Sequence, residues 1–243
     1  MKRFLLIISF TIAGYSVFAQ NNIDSLPSST VKKDWSKEQL SGRSADHFML
    51  QLGYNGWSGE TDSIRTKGLS RTFNIYFMFD FPFKSNPHFS AAAGVGLGTD
   101  NMFFKETTIE LREYPLTFDH DTSISYKKYK LATGFLEVPV ELRYAANPMN
   151  FNKSFKVALG MKVGTMVDAH TKAKVTSDRS RNGGYTVKVK DRRNFNSTRL
   201  AATLRVGYGV FSVFGTYQIN PFVKEGYGPN IRPYSIGLCI SGL

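Results

Sequence analysis

The chain has one cysteine, Cys239, among its 243 residues. A lone thiol excludes an intramolecular disulfide, and its place near the far end excludes a lipoprotein acylation site behind an export signal. Long apolar runs are missing too: beyond Ala19 nothing approaches the roughly 20 apolar residues that a spanning helix needs. Acid is scarce, with 19 Asp and Glu against 31 Lys and Arg and a formal charge of +12. Motifs that hold cofactors are also lacking. Gly94-Val95-Gly96-Leu97-Gly98 has no helix behind it to make a phosphate loop. His120 between Asp119 and Asp121 is a single imidazole in a polar turn. No cofactor or metal site is expected.

What the sequence does have begins with MKRFLLIISFTIAGYSVFAQ. Lys2 and Arg3 precede an apolar run from Phe4 to Phe18 that is too short and too interrupted, by Ser9, Thr11, Gly14 and Ser16, to stay as an anchor. Residues 1–19 are therefore expected to be a signal peptide cleaved after Ala19. Residues 20–45 are polar and without sustained periodicity, which fits a flexible periplasmic arm, with a helical turn near Trp35 and Leu40 as the alternative. An exported chain meets no nucleic acid, so its basic excess is matched to envelope anions, lipopolysaccharide phosphates first.

From residue 46 the pattern is alternation. In Phe135–Tyr144, FLEVPVELRY, the residues Leu136, Val138, Val140 and Leu142 form one row and Glu137, Glu141 and Arg143 lie in the other. Successive strand side chains face opposite ways, so such a segment needs an apolar medium on one side and a polar one on the other. A transmembrane barrel repeats that demand in every strand. Eight segments meet it: residues 46–57, 69–82, 88–104, about 126–144, 154–168, about 197–208, 211–220 and 231–242. Short turn-rich connections alternate with long polar ones, as periplasmic turns alternate with outer loops. The fold expected for 46–243 is an all-β, eight-stranded antiparallel up-and-down transmembrane barrel. A soluble lipocalin-like barrel would instead turn its apolar rows inward around a ligand.

The stretch Phe-Leu-Glu-Val-Pro-Val-Glu-Leu-Arg-Tyr resembles the Leu-Glu-Ile-Pro-Leu strand of PorT-like outer-membrane beta-barrel proteins of Bacteroidetes-type bacteria. Gly160–Lys174 is similar to the Gly-rich strand that follows it in that family, and a signal ending in Ala19-Gln20 fits such envelopes. The resemblance covers residues 46–243 and implies an outer-membrane barrel assembled by the barrel assembly machinery. It also implies, as one reading, an accessory role in protein secretion. The chain departs from the family in finishing Ile240-Ser241-Gly242-Leu243 rather than on an aromatic residue.

An eight-stranded barrel has an interior that side chains fill, so inward charges must be paired or hydrated. Parity sends Asp80, Glu137, Glu141, Arg143, Lys156, Lys162, Arg205 and Asp168 inward, with Glu137 expected on Lys162 and Glu141 on Lys156. Pro139 lacks a ladder donor and calls for a bulge or a water. Among the outer connections, 105–125 holds five acids against two bases. The segment 169–196 holds Lys172, Lys174, Arg179, Arg181, Lys188, Lys190, Arg192 and Arg193 against two acids. The two segments are expected to attract each other, and the basic one to contact lipopolysaccharide or an envelope protein partner. For catalysis, His88-x-Ser90 is the only spacing of interest, but it follows a short turn and has no acid at a convincing spacing. The expectation is a non-enzymatic outer-membrane protein with a structural or interaction role. A lipid A-modifying enzyme is the alternative.

Overall fold

The structure, a computed structural model, describes residues 47–59, 64, 66, 69–105, 107–119, 126–150, 153–175 and 185–242. Residues 1–46, over which a signal peptide and an arm with Trp35 and Leu40 are expected, and His120, Arg179 and Arg181 lie outside the described residues.

Among the described residues there are eleven strands: β1 (Phe48–Gly59), β2 (Arg71–Pro82), β3 (Phe89–Phe104), β4 (Thr108–Ile109), β5 (Phe118–Asp119), β6 (Tyr126–Ala145), β7 (Phe155–Val175), β8 (Tyr185–Lys190), β9 (Thr198–Tyr208), β10 (Phe211–Gln218) and β11 (Ile231–Ser241). Eight of them close an antiparallel barrel in the order β1-β2-β3-β6-β7-β9-β10-β11. β11 returns to β1 from Met49 opposite Ser241 to Gly59 opposite Ile231. The long β6–β7 ladder runs from Tyr126 opposite Val175 to Ala145 opposite Lys156. Closure leaves the barrel no unpaired edge, the condition for strands in hydrocarbon. The eight segments of alternating sequence are these eight strands, their ends differing by one or two residues except at β7, which runs seven residues further.

The faces follow the alternation. Phe77, Phe79, Val95, Leu97, Leu136, Val138, Val140, Leu142, Leu159, Met161, Val163, Leu204, Val213, Ile236 and Leu238 form an exposed apolar band. At the short-turn end it is bordered by exposed Phe81, Phe89, Tyr144, Phe155, Tyr208 and Phe211, and toward the other end by Phe73, Tyr217 and Tyr234. Aromatic girdles of this kind mark the two interfaces of a membrane barrel.

The glycine-rich inward rows of β3 and β7 have a packing reason. A Cβ on Gly98 would lie 2.9 Å from Glu137 Oε2, and one on Gly164 would lie 2.9 Å from Glu137 Cγ. At Gly96 it would run into the ring of Tyr76 and the carbonyl of Ile75. Gly96→Val is accordingly expected to cost about 1–3 kcal/mol by overpacking, read as a lower urea midpoint for the refolded barrel in detergent. An unchanged midpoint would mean that Tyr76 does not fill that space.

No bulge interrupts the β3–β6 ladder at Pro139. Ala93 faces Val140 and Gly96 faces Glu137, so register is the same on both sides of it, while Gly94 and Val95 have no ladder partner on β6. The missing donor is thus accommodated by a gap in the β3–β6 ladder, without a bulge. The bulge lies elsewhere: Gly134 pairs with Asp168 and Phe135 with Met166, leaving Val167 unmatched. An extra residue reverses the facing of everything beyond it. Asp168, expected inward, therefore turns outward, and Ala169, Thr171 and Ala173 become the buried row. The segment expected as a loop from 169 is also shorter, because β7 continues to Val175 and β8 pairs back onto it. Both stretches carry a period-two pattern, which polar composition conceals.

Candidate functional site

The lumen holds two ion-pair clusters. In the one nearer the short turns, Glu141 Oε2 accepts from Arg143 Nε at 2.8 Å and Arg205 Nη2 at 2.9 Å. Arg143 Nη1 lies 3.6 Å from Asp80 Oδ1, which also accepts from Ser90 Oγ at 2.7 Å. Arg205 donates to Ser241 Oγ at 3.1 Å. The second cluster centres on Glu137, which is fully buried. Its carboxylate accepts from Lys162 Nζ at 3.0 Å, from Arg199 Nη1 at 3.2 Å and from the Tyr76 hydroxyl. Arg199 reaches on to Asp100 at 2.9 Å and lies 4.6 Å over the ring of Phe135.

Of the eight residues sent inward by parity, all but Asp168 have buried side chains. Glu137 meets Lys162. Glu141 takes two arginines, Arg143 of its own strand and Arg205, which β9 brings to it across the lumen. Arg199 and Asp100 were missed, although the parity of their own strands places both inward, one step beyond the rows read from the sequence.

Beyond Phe135 the lumen becomes apolar. Met102, Phe104, Ile109, Leu111, Leu116, Tyr129, Leu131, Met166, Phe195, Phe222, Val223 and Ile231 form one buried cluster, against which Trp57, Phe118, Val189 and Tyr227 pack. Its members come from strands and from three long connections, so the outer mouth has its own hydrophobic core. The Tyr129 hydroxyl accepts from the N–H of Ile109 and donates to its carbonyl. Asn194 Nδ2 donates to the carbonyls of Leu111 and Glu113 at 3.1 and 2.8 Å. The acidic and basic connections are joined by these bonds and by the cap.

An outer membrane protein beta-barrel domain model matches residues 18–226. The chain belongs to this family.

The outer-membrane beta-barrel family places the protein in the outer membrane. Among solved structures, Ail, the attachment invasion locus protein of Yersinia pestis, is similar at 12% identity, covering 80% of this chain and 94% of that one with a TM-score of 0.37. No curated protein matches the chain. In outer-membrane barrels the short turns are periplasmic, so the lower ion cluster lies toward the periplasm and the apolar cap faces outside.

His88 and Ser90 sit at the periplasmic end. His88 Nδ1 contacts the carbonyl of Ala145 at 2.9 Å, and Ser90 Oγ spends its proton on Asp80. The His88 ring thus meets a main-chain carbonyl and the Ser90 hydroxyl a carboxylate. Among the described residues no group of three His, Cys, Asp or Glu could hold a metal.

The basic residues of 169–196 separate into two environments. Arg192 donates to the carbonyl of Met166 at 3.1 Å, and Arg193 clamps Asp191 at 2.7 Å. Those hydrogen bonds hold the Asp191 carboxyl below its usual range. Lys172 and Lys174 stand instead on the outward face of β7, and Lys188 and Lys190 beside them on β8.

Proposed function

We propose that the protein is a sealed, non-enzymatic barrel of PorT-like type that works as a membrane-anchored platform, through its structured outer end. The observation that carries this is the filled lumen. Glu137, Lys162, Arg199 and Tyr76 meet across the interior, and the apolar cap covers the mouth above them. A conducting pore would need water along this path, and the paired charges and buried aromatics leave side chains there. The engagement of His88 and Ser90 with a main-chain carbonyl and an aspartate supports the non-enzymatic reading over a lipid A-modifying enzyme. A signal cleaved after Ala19, a periplasmic arm over 20–45 and assembly by the barrel machinery belong to the same proposal. An accessory role in secretion is what the PorT resemblance adds to it.

The test is conductance. The refolded full chain in a planar lipid bilayer is expected to give no steady single-channel steps between +100 and −100 mV, values chosen on the order of physiological potentials. Stable, reproducible openings would overturn the sealed reading.

A further inference from the structure

Outside the membrane β6, β7 and β8 continue as a three-stranded sheet whose outward face is a lysine array. Lys130, Lys172 and Lys188 stand directly opposite one another across the three strands. In the next row toward the tip, Lys128 and Lys174 are followed by Thr186, and in the row toward the membrane Ala132 and His170 are followed by Lys190. Like charges directly opposite in a sheet destabilise it. A natural sheet that lines up three of them invites an anion to neutralise the row.

Among the described residues the acids that could do so internally are few. Asp168 is the acid of this face, and it is already held by Lys190 Nζ at 2.6 Å and His170 Nδ1 at 2.7 Å. On neighbouring β3, Asn101 accepts from Lys130 Nζ at 2.6 Å and the Phe103 ring lies 4.9 Å from Lys128 Nζ. Lys128, Lys130, Lys172, Lys174 and Thr186 line a cleft of about 350 Å³. That is within the range of ligand-sized cavities and far above the volume of a single water.

The array continues the lipid-facing surface. Val167 is the last large exposed apolar side chain of β7 before it, and Lys172 lies five residues on, roughly 16 Å along the strand. Barrel strands tilt by about 40°, so the height gained is roughly 12 Å, and lysine stems reach back toward the interface.

We propose that this face binds the phosphorylated headgroup of lipopolysaccharide in the outer leaflet. Its position above the apolar band, on the outer wall rather than over the mouth, favours a lipid over a soluble partner. Arg192 and Arg193 are not part of it, whereas Lys128 and Lys130 are. The inference rests on the outer-membrane location and not on the sealed lumen, so a conducting barrel would leave it standing.

The test uses the full chain in mild detergent, titrated with fluorescent lipopolysaccharide before and after chemical removal of its phosphates. K172Q/K188Q is expected to bind native lipopolysaccharide about tenfold or more weakly than the unsubstituted protein, and the dephosphorylated lipid to bind the unsubstituted protein as weakly. K84Q/K153Q, two exposed lysines at the periplasmic end, removes the same charge and should leave affinity unchanged. Unboiled gel mobility reports that each variant is folded. Equal binding by K172Q/K188Q, equal loss in K84Q/K153Q, or undiminished binding of the dephosphorylated lipid would overturn the proposal. Inorganic phosphate binding as tightly as the lipid would assign the site to a free anion and overturn it too.

Discussion

Glu137→Ala is expected to lower the stability of the folded barrel by about 3–5 kcal/mol, the cost of leaving buried charge without its partner. Glu137 is the hub of the upper cluster. It accepts from Lys162, Arg199 and Tyr76, and Lys162 is as buried as its partner. Arg199 keeps Asp100 when the glutamate is removed, but Lys162 keeps only a contact of 3.2 Å with the Tyr76 hydroxyl. The measurement is urea unfolding of the refolded protein in detergent, followed by the mobility difference between folded and unfolded forms. Lys162→Met is the informative comparison. It leaves Glu137 with Arg199 and Tyr76 and removes a charge without orphaning another, so it should cost less than half as much. If the two variants lose equal stability, Glu137 is not the centre of the cluster.

The second large effect tests the lipid-facing wall. Val140 stands mid-way along the apolar row of β6 and is exposed on the barrel exterior. On a soluble protein an exposed valine replaced by arginine changes stability within about 0.5 kcal/mol. In a bilayer the same substitution near the midplane costs roughly 2–4 kcal/mol. Val140→Arg should therefore refold poorly into lipid vesicles and unfold at lower urea. Thr186→Arg, on the outward face of β8 beyond the apolar band, should behave like the unsubstituted protein. Equal and negligible effects at both positions would remove the membrane from the account and return the apolar rows to some other covering.

The contrast between these positions shows how much was legible beforehand. Along β6, Leu136, Val138, Val140 and Leu142 alternate with Glu137, Glu141 and Arg143, and a two-residue period in a membrane strand has one stable facing. Slipping it would place charges in lipid and aliphatic side chains among ions. Alternation failed as a guide where a single unmatched residue, Val167, reset the phase of β7. A bulge has no reliable signature in one sequence, because the unmatched residue is defined by the partner strand opposite it. The alternation therefore hides that the lysines of 169–190 lie on strands and that Asp168 faces outward.

The partners inside the barrel show a similar limit. Lys162 sits beside Glu137 in neighbouring strands, two residues out of register and on the same face, since Glu137 pairs with Gly164. Adjacent strands in an antiparallel ladder can be aligned from their turn, and that pairing was accessible. Arg205 reaches Glu141 from β9, which is not a neighbour of β6. Contacts across a lumen depend on barrel closure, shear and side-chain length together.

The sequence by itself determined the number of barrel strands, the lipid-facing rows, the inward glycines and the exclusion of an intramolecular disulfide, because each rests on period-two facing or on composition. Only the tertiary structure decided which charges meet, how Pro139 is tolerated, that Met102 through Ile231 assemble an outer core, and that three strands array their lysines on one wall. Those outcomes depend on distances between segments far apart in the chain, and such distances exist only once the barrel has closed.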